Sequence, residues 1–499
     1  VKRFSLAFSV FCSPFLAISC VKKTTSKSLS TAPVEAPRKE APPFSNVTPE
    51  ERKAYLDKAI VWLTPDREAL LNSILSPNAP DAAAVWENYK KQVRSIGLIK
   101  ETDTYQINSP IEDIVCDFKE PEEKLDGGKT PKFKCKSEDG KKHKIRYDLE
   151  LRTADVDGQK VDLGRSAWKI LYHNMEVHTG PVVSKMMSAF QFAANEVNPV
   201  NVTCRKCPLD PFSVVARGME SGYAKKYVKQ NVDYFQRKLS KDVLTYRSSE
   251  LVFKLAVEEK ELDAFDIQDA EFDKNLTQGW SFDEIYAMGS PTKLQLIERQ
   301  AFGMILALFQ HADAKPEQQR LICEKQSLSA DGKCEKPVLM VSDIGYTLGK
   351  GTVNMLSQSR FNSKDWNDQP PFLEKFANKP VPLEKCLVNI NARSSSAFHP
   401  FYISKEGALL ASKILEAVSP KQYDSYFSRS RSELVNQPRP DQWTGILLDK
   451  INKIAQRAPK CPSIDSQIAS GEMKLRMEDP NANPTAEQAL YDQPTEIAP

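Results

Sequence analysis

The stretch Phe309-Gln310-His311-Ala312-Asp313-Ala314-Lys315-Pro316-Glu317-Gln318 decides how the rest of the chain is read. It directly follows an apolar segment, opened by Ser290-Pro291 and running to about Gln310. There Leu294, Ile297, Phe302, Ile305, Leu306 and Phe309 recur at helical spacing and predict a buried helix. A polar loop leaving such a helix has a rigid base. Its side chains are, in order, a carboxylate (Asp313), a cation (Lys315) and an amide (Gln318). Phosphoryl transfer needs such a set: a carboxylate to orient the attacking hydroxyl, a cation near the moving phosphate, and an oxygen ligand for a metal ion.

Working outward, Val338-Leu339-Met340-Val341 reads as a short strand that ends in Ser342-Asp343-Ile344-Gly345. Upstream, Lys132 to Ser137, the turn Glu138-Asp139-Gly140, and Lys144 to Leu151 read as a hairpin. After a turn at Asp157-Gly158, Ser166 to Tyr172 reads as a further strand carrying Lys169. Val182 to Ala194 then predicts a helix with Val183, Met186, Met187 and Phe190 on its apolar face. Beyond Val197 the chain reads as mainly helical, with helices over Ser404 to Val418 and in the Gln437 to Ala458 region.

In chain order, these segments resemble the divergent protein-kinase-like superfamily, which includes secretory-pathway, spore-coat and HipA-like kinases. HADAKPEQ at His311 to Gln318 is similar to the kinase catalytic loop HRDLKPEN, and Asp343-Ile344-Gly345 is similar to DFG. The longer Asp343-x-Gly345-x-x-x-Gly349 resembles the corresponding segment of secretory-pathway kinases of the casein-phosphorylating type. The resemblance covers roughly Lys132 to Gly349. It implies an α+β, two-lobed fold: a small β-rich N-lobe over 101–200, a larger, mainly helical C-lobe over 201–471, and a helical extension over 48–100.

The resemblance also implies ATP with Mg²⁺ or Mn²⁺ as cofactors. Lys169 would hold the nucleotide phosphates with Glu176 as its partner, and Gly140 would lie at the phosphate-facing turn. Asp313 would orient the acceptor beside Lys315, and Asp343 with Gln318 would hold the metal. Lys144 is a rival to Lys169. The chain departs from the pattern in three places: Ala312 replaces the loop arginine, Gln318 is one methylene longer than asparagine, and Glu176 precedes Gly180-Pro181. The plain alternatives are that Lys169 faces solvent from an edge strand, His311 packs at a helix end, and Asp343 and Gly345 only form a turn.

The chain has 499 residues, 69 basic against 66 acidic, and a formal net charge of +3. This balance excludes a dedicated polyanion binder, and no nucleic acid partner is expected. With 40% hydrophobic residues and 33 prolines, a sizeable core is expected beside long connections. Val1-Lys2-Arg3, the apolar run Phe4 to Ser19 and the exit Leu16-Ala17-Ile18-Ser19-Cys20 read as a signal peptide over 1–19. The exit resembles a bacterial lipoprotein box, which implies acylation of Cys20, membrane anchoring and a periplasm-facing location at the cell envelope, with Val21 pointing to the outer membrane. Residues 20–47 would be the anchored linker and 472–499 a disordered tail. Thr48-Pro49-Glu50-Glu51 reads as a capping box opening a helix.

Setting aside Cys12 and Cys20 leaves an even number of the ten cysteines. Sequence-adjacent pairing gives Cys116 with Cys135, Cys204 with Cys207, Cys323 with Cys334, and Cys386 with Cys461, one of many possible connectivities. Cys204-Arg-Lys-Cys207 could also be half a zinc site or a redox motif, but no second C-x-x-C completes the former. No G-x-S-x-G or H-E-x-x-H occurs, which removes the commonest hydrolase readings. Two functions remain: an exported kinase acting on an unknown protein or small-molecule acceptor, and a non-catalytic envelope lipoprotein that binds or scaffolds. Scarcity of ATP outside the inner membrane favours the second.

Overall fold

The computed structural model describes residues 44, 47–95, 111–119, 131–148, 151–163, 174–209, 211, 246–268, 292–311, 319–345, 347–349, 361–376, 379–389 and 401–470. The expected signal peptide, Cys20, nearly all of the linker, the strand with Lys169, the loop residues Asp313, Lys315 and Gln318, and the C-terminal tail lie outside them.

Three helices open the described chain: α1 (Pro49–Lys58), α2 (Arg67–Leu75) and α3 (Ala82–Ser95). α1 starts where the sequence signals it. Thr48 accepts from the Glu51 amide, and Glu51 accepts in return from the Thr48 amide at 2.8 Å. These helices do not stand apart as an extension. Leu56, Trp62, Leu70, Trp86 and Tyr89 enter the large helical core. The buried carboxylate of Glu298 accepts from the amides of Val61 and Trp62 and from the Arg67 guanidinium, tying the turn after α1 to the central helix.

The next elements are β1 (Glu112–Lys119), β2 (Lys132–Lys136), β3 (Lys142–Tyr147), β4 (Arg152–Val156), β5 (Gln159–Asp162), α4 (Glu176–Ala189), β6 (Glu196–Pro208) and β7 (Arg247–Lys260). The expected hairpin is β2–β3, with Lys132 opposite Arg146 and Lys136 opposite Lys142. The sheet order is β3-β2-β1-β6-β7-β4-β5, and β3 also pairs with β7, so five strands close on themselves. β1 and β6 run parallel and the other pairs antiparallel. The closed interior is filled by Ile114, Phe133, Ile145, Tyr147, Val202 and Phe253, with Cys116, Cys135, Cys204 and Cys207 beside them.

Two expectations need correcting. The chain past Val197 is not mainly helical at first, because β6 and β7 are the two longest strands described and carry the sheet to Lys260, beyond the boundary drawn at residue 200. Both alternate apolar and polar residues, for example Val200, Val202 and Cys204 inward on β6, which is a strand period and not a helical one. Second, α4 begins at Glu176 and not Val182. Pro181 is inside it, where it removes the one bond its amide would have given to the Val177 carbonyl, and the helix continues past it.

The rest is β8 (Ala264–Asp266), α5 (Lys293–Leu308), β9 (Gln319–Glu324), β10 (Pro337–Val341), α6 (Ser363–Asn367), β11 (Lys375–Phe376), β12 (Lys379–Pro380), α7 (Lys405–Ala417), α8 (Pro420–Ser428), α9 (Pro440–Arg457) and α10 (Ile464–Ser470). α5 is the predicted apolar helix, buried along its length from Gln295 to Leu308. Its cap is a box of Thr292 with Gln295 and not Ser290-Pro291, because only a residue three before a side chain that reaches back can close the box. α7 and α9 fall where predicted, and α7 packs on both α5 and α9 in the helical core. The molecule is thus mixed α+β, a closed small sheet and a helical body.

All four sequence-adjacent disulfides form: Cys116–Cys135, Cys204–Cys207, Cys323–Cys334 and Cys386–Cys461. Such a set is compatible with an extracellular or periplasmic location. Among the described residues no helix is long and apolar enough to cross a membrane.

Candidate functional site

The alternation of β3 builds the site. His143, Ile145 and Tyr147 turn toward the barrel interior, which leaves Lys144 and Arg146 on the opposite face. On β2 the same face carries Lys132, Lys134 and Lys136, so three like-charged pairs stand opposite one another in succession: Lys132 with Arg146, Lys134 with Lys144, and Lys136 with Lys142. Like charges in direct register are destabilising, so this face needs anions.

Arg146 receives three of them. It donates through Nη1 to Glu176 at the first turn of α4, through Nε to Glu259 Oε2 on β7 at 2.9 Å, and through Nη2 to Asp343 Oδ2 just past β10 at 3.4 Å. Arg146, Glu176 and Glu259 are 8%, 4% and 7% exposed, whereas the Asp343 side chain keeps 23% of its surface. Lys144 Nζ and Asn195 Nδ2 each donate to Glu259 Oε1 at 3.1 Å. The partly open carboxylate therefore sits at the mouth of a buried ion cluster.

His311, three residues past α5, lies beside it. Burial works against the Asp343 charge, but Arg146 and then His311 attract it, and the carboxyl is held below its usual range. His311 is fully buried at the end of α5, and the Leu348 amide donates to Phe309 O at 2.8 Å, which joins the residues after Asp343 to that helix end. Burial likewise opposes the charge on Glu259, while Arg146 and Lys144 hold its pKa low.

Asp343 and Glu176, chosen from the sequence, are thus brought together through Arg146, which was not chosen. Lys144, the rival lysine, bonds Glu259 and also Glu261 at 3.4 Å. Gly140 is at the hairpin tip with φ +87°, a value only glycine takes easily. Its amide donates to Ser137 O and that of Lys141 to Asp139 Oδ1, both at 3.0 Å. The turn thus uses these two donors itself, and Arg146 is at least four strand residues, about 13 Å, away.

Sequence reasoning missed Arg146, Lys132, Glu259 and Asn195. The signal for the first two was present in Lys-x-Lys-x-Lys facing Lys-x-Lys-x-Arg. Among the described residues no group of three or more His, Cys, Asp or Glu side chains is arranged to hold a metal ion, since the carboxylates here converge on a guanidinium.

Burial, then repulsion from Arg146 and Lys144, lowers the Lys132 pKa to about 8, with Asp343 and Glu259 partly offsetting this. Lys132 is charged below that pH and loses its charge above it. Any affinity of the cluster for phosphate groups is therefore expected to fall about tenfold between pH 7 and 9, the loss of one charge-assisted hydrogen bond, measured by calorimetric titration. Stability moves the other way. A lysine whose folded pKa is lowered from 10.5 to about 8 loses its proton first in the folded state, so this group's contribution rises with pH across that window.

No protein-family model matches the chain. No curated protein matches it either. Among solved structures, the chain is similar to the proinflammatory kinase CtkA of Helicobacter pylori, at 9% identity, covering 73% of this chain and 99% of that one with a TM-score of 0.32. A likeness that slight carries no argument.

Proposed function

We propose that the protein is a kinase-like nucleotide-binding protein of the bacterial envelope, exported, lipid-anchored through Cys20 and capable of transferring a phosphoryl group to a protein or small-molecule acceptor. The observation that carries the reading is Arg146, which reaches from a strand to the first turn of α4 at Glu176 and to Asp343 just past β10. The order of elements supports it: an apolar helix α5, the segment from His311 to Gln318, the hairpin β9–β10, then Asp343. Arg146 with Lys132 and Lys144 offers cations for a polyphosphate, and in this reading Arg146 takes the place given above to Lys169. Mg²⁺, a hard cation served by oxygen ligands, would be held by Asp343 with Gln318 and would offset phosphate charge.

A second reading is favoured by the same contact: an Arg146 guanidinium already on Asp343 competes with a metal ion, as suits a binding module without catalysis. Thermal unfolding of the full chain with ATP and Mg²⁺ or Mn²⁺ tests the proposal. Stabilisation of about 2.7 kcal/mol at a hundred times Kd is expected, and its loss in Asp343→Ala. No shift at millimolar nucleotide would sink nucleotide binding. A shift without phosphate transfer to any offered acceptor would leave the binding module.

A further inference from the structure

A cavity of about 520 Å³ lies between the C-terminal half of α4, the segment entering β6 and Leu262 past β7, and none of Lys132, Lys144, Arg146 or Asp343 lines it. Its walls are mixed. Phe192 and Leu262 are apolar, while Lys185, Arg429 and Gln191 present polar groups. Arg429 Nη2 donates to Asn198 Oδ1 at 2.7 Å, but its Nε is buried and has no partner among the described residues. Gln191 Oε1 is in the same condition. The carboxylate on the lining is that of the exposed Glu196.

Two cations thus face one exposed carboxylate. Burial, then Arg429, pushes the Lys185 pKa down, and burial pushes that of Arg429 down although Glu196 attracts both. A half-buried cation pair with an unused N–H favours an anionic guest, because a buried donor left without an acceptor is costly. The apolar walls disfavour a bare hydrated ion, which would leave them exposed to water.

We infer that this cavity binds a small organic anion, with one acidic head group between Lys185 and Arg429 and a compact apolar body against Phe192 and Leu262. The site shares a wall with the Arg146 cluster. Ala194 bridges to Val341, two residues before Asp343, and Asn195 donates to Glu259. The inference nonetheless stands without the nucleotide reading.

Calorimetric titration of the full chain with phenyl phosphate, benzoate, inorganic phosphate and phenol tests it. At least one aromatic anion is expected to bind, at least tenfold more tightly than inorganic phosphate, and phenol not at all. Lys185→Met, which keeps the apolar stem, and Arg429→Gln should each weaken binding at least tenfold in protein with an unchanged circular dichroism spectrum. Lys453→Ala, an exposed lysine away from both sites, should leave it unchanged. Failure of both aromatic anions to bind overturns the inference, as does undiminished binding by Lys185→Met or an equal loss in Lys453→Ala.

Discussion

Arg146→Met is expected to lower the unfolding free energy by about 3–5 kcal/mol and to abolish the nucleotide-dependent stabilisation proposed above. The methionine keeps most of the apolar stem and removes the guanidinium to which Glu176, Glu259 and Asp343 are bonded. Two of these carboxylates are almost wholly buried. Breaking a buried pair from one side is costly because the charge left behind has neither water nor a partner, and it must either protonate or open the structure. Lys144 and Asn195 still serve Glu259.

Arg146→Lys separates charge from geometry. It restores a cation without the planar fork that reaches three carboxylates at once, so it should recover only part of the stability. Urea unfolding followed by tryptophan fluorescence reads the difference. A change of less than about 0.5 kcal/mol in Arg146→Met would show that the three contacts contribute nothing net.

Most legible parts of this fold are fixed within a few residues. Thr48 and Glu51 close a box on the helix they announce, and the β2–β3 hairpin turns where Asp139-Gly140 allows. The four disulfides were legible on another ground, because each joins a cysteine to the next one along the chain, at separations from 3 to 75 residues. The α5 helix and the β10 strand, which ends two residues before Asp343, are legible because their burial is nearly complete.

What failed were the long-range pairings. Cys116 of β1 lies in parallel register with Cys204 of β6, and Arg146 reaches Glu259 across 113 residues. No local periodicity encodes either. Arg146 escaped notice for the same reason: β4 and β5 intervene between its strand and the Glu176 it bonds at the start of α4. Lys169 lies outside the described residues. Glu176 precedes Gly180-Pro181 and yet begins the helix, because Pro181 removes a single helical bond and the ladder continues on either side of it.

Gly345→Ala is expected to lower nucleotide affinity at least a hundredfold while costing about 1–3 kcal/mol of stability, the range for a forced fit in a packed interior. A Cβ at Gly345 would stand 2.5 Å from Glu176 Cγ, 2.8 Å from its Cβ and 3.1 Å from its Cδ. The near atoms belong to the root of the side chain and not to its flexible end, so rotation of the carboxylate cannot relieve the contact. Backing away is opposed as well. Glu176 starts α4 and is bonded to Arg146, and Thr179 Oγ1, one turn along the same helix, donates to Gly345 O.

Either the helix start shifts or the Asp343–Gly345 segment does, and each separates Glu176 from Asp343 around Arg146. Losing two hydrogen bonds to a charged phosphate, at about 1.5–3 kcal/mol each, is enough for a hundredfold loss of affinity. Gly445→Ala is the control. It lies within α9 with nothing within 4 Å of the added methyl, so it should raise stability by about 0.5–1 kcal/mol through helix propensity and leave nucleotide binding as it was. ATP titration of both variants decides the matter. If Gly345→Ala binds nucleotide like the parent while Gly445→Ala behaves as expected, the Glu176–Arg146–Asp343 cluster is only a structural joint, and the search for the nucleotide site moves elsewhere on the protein.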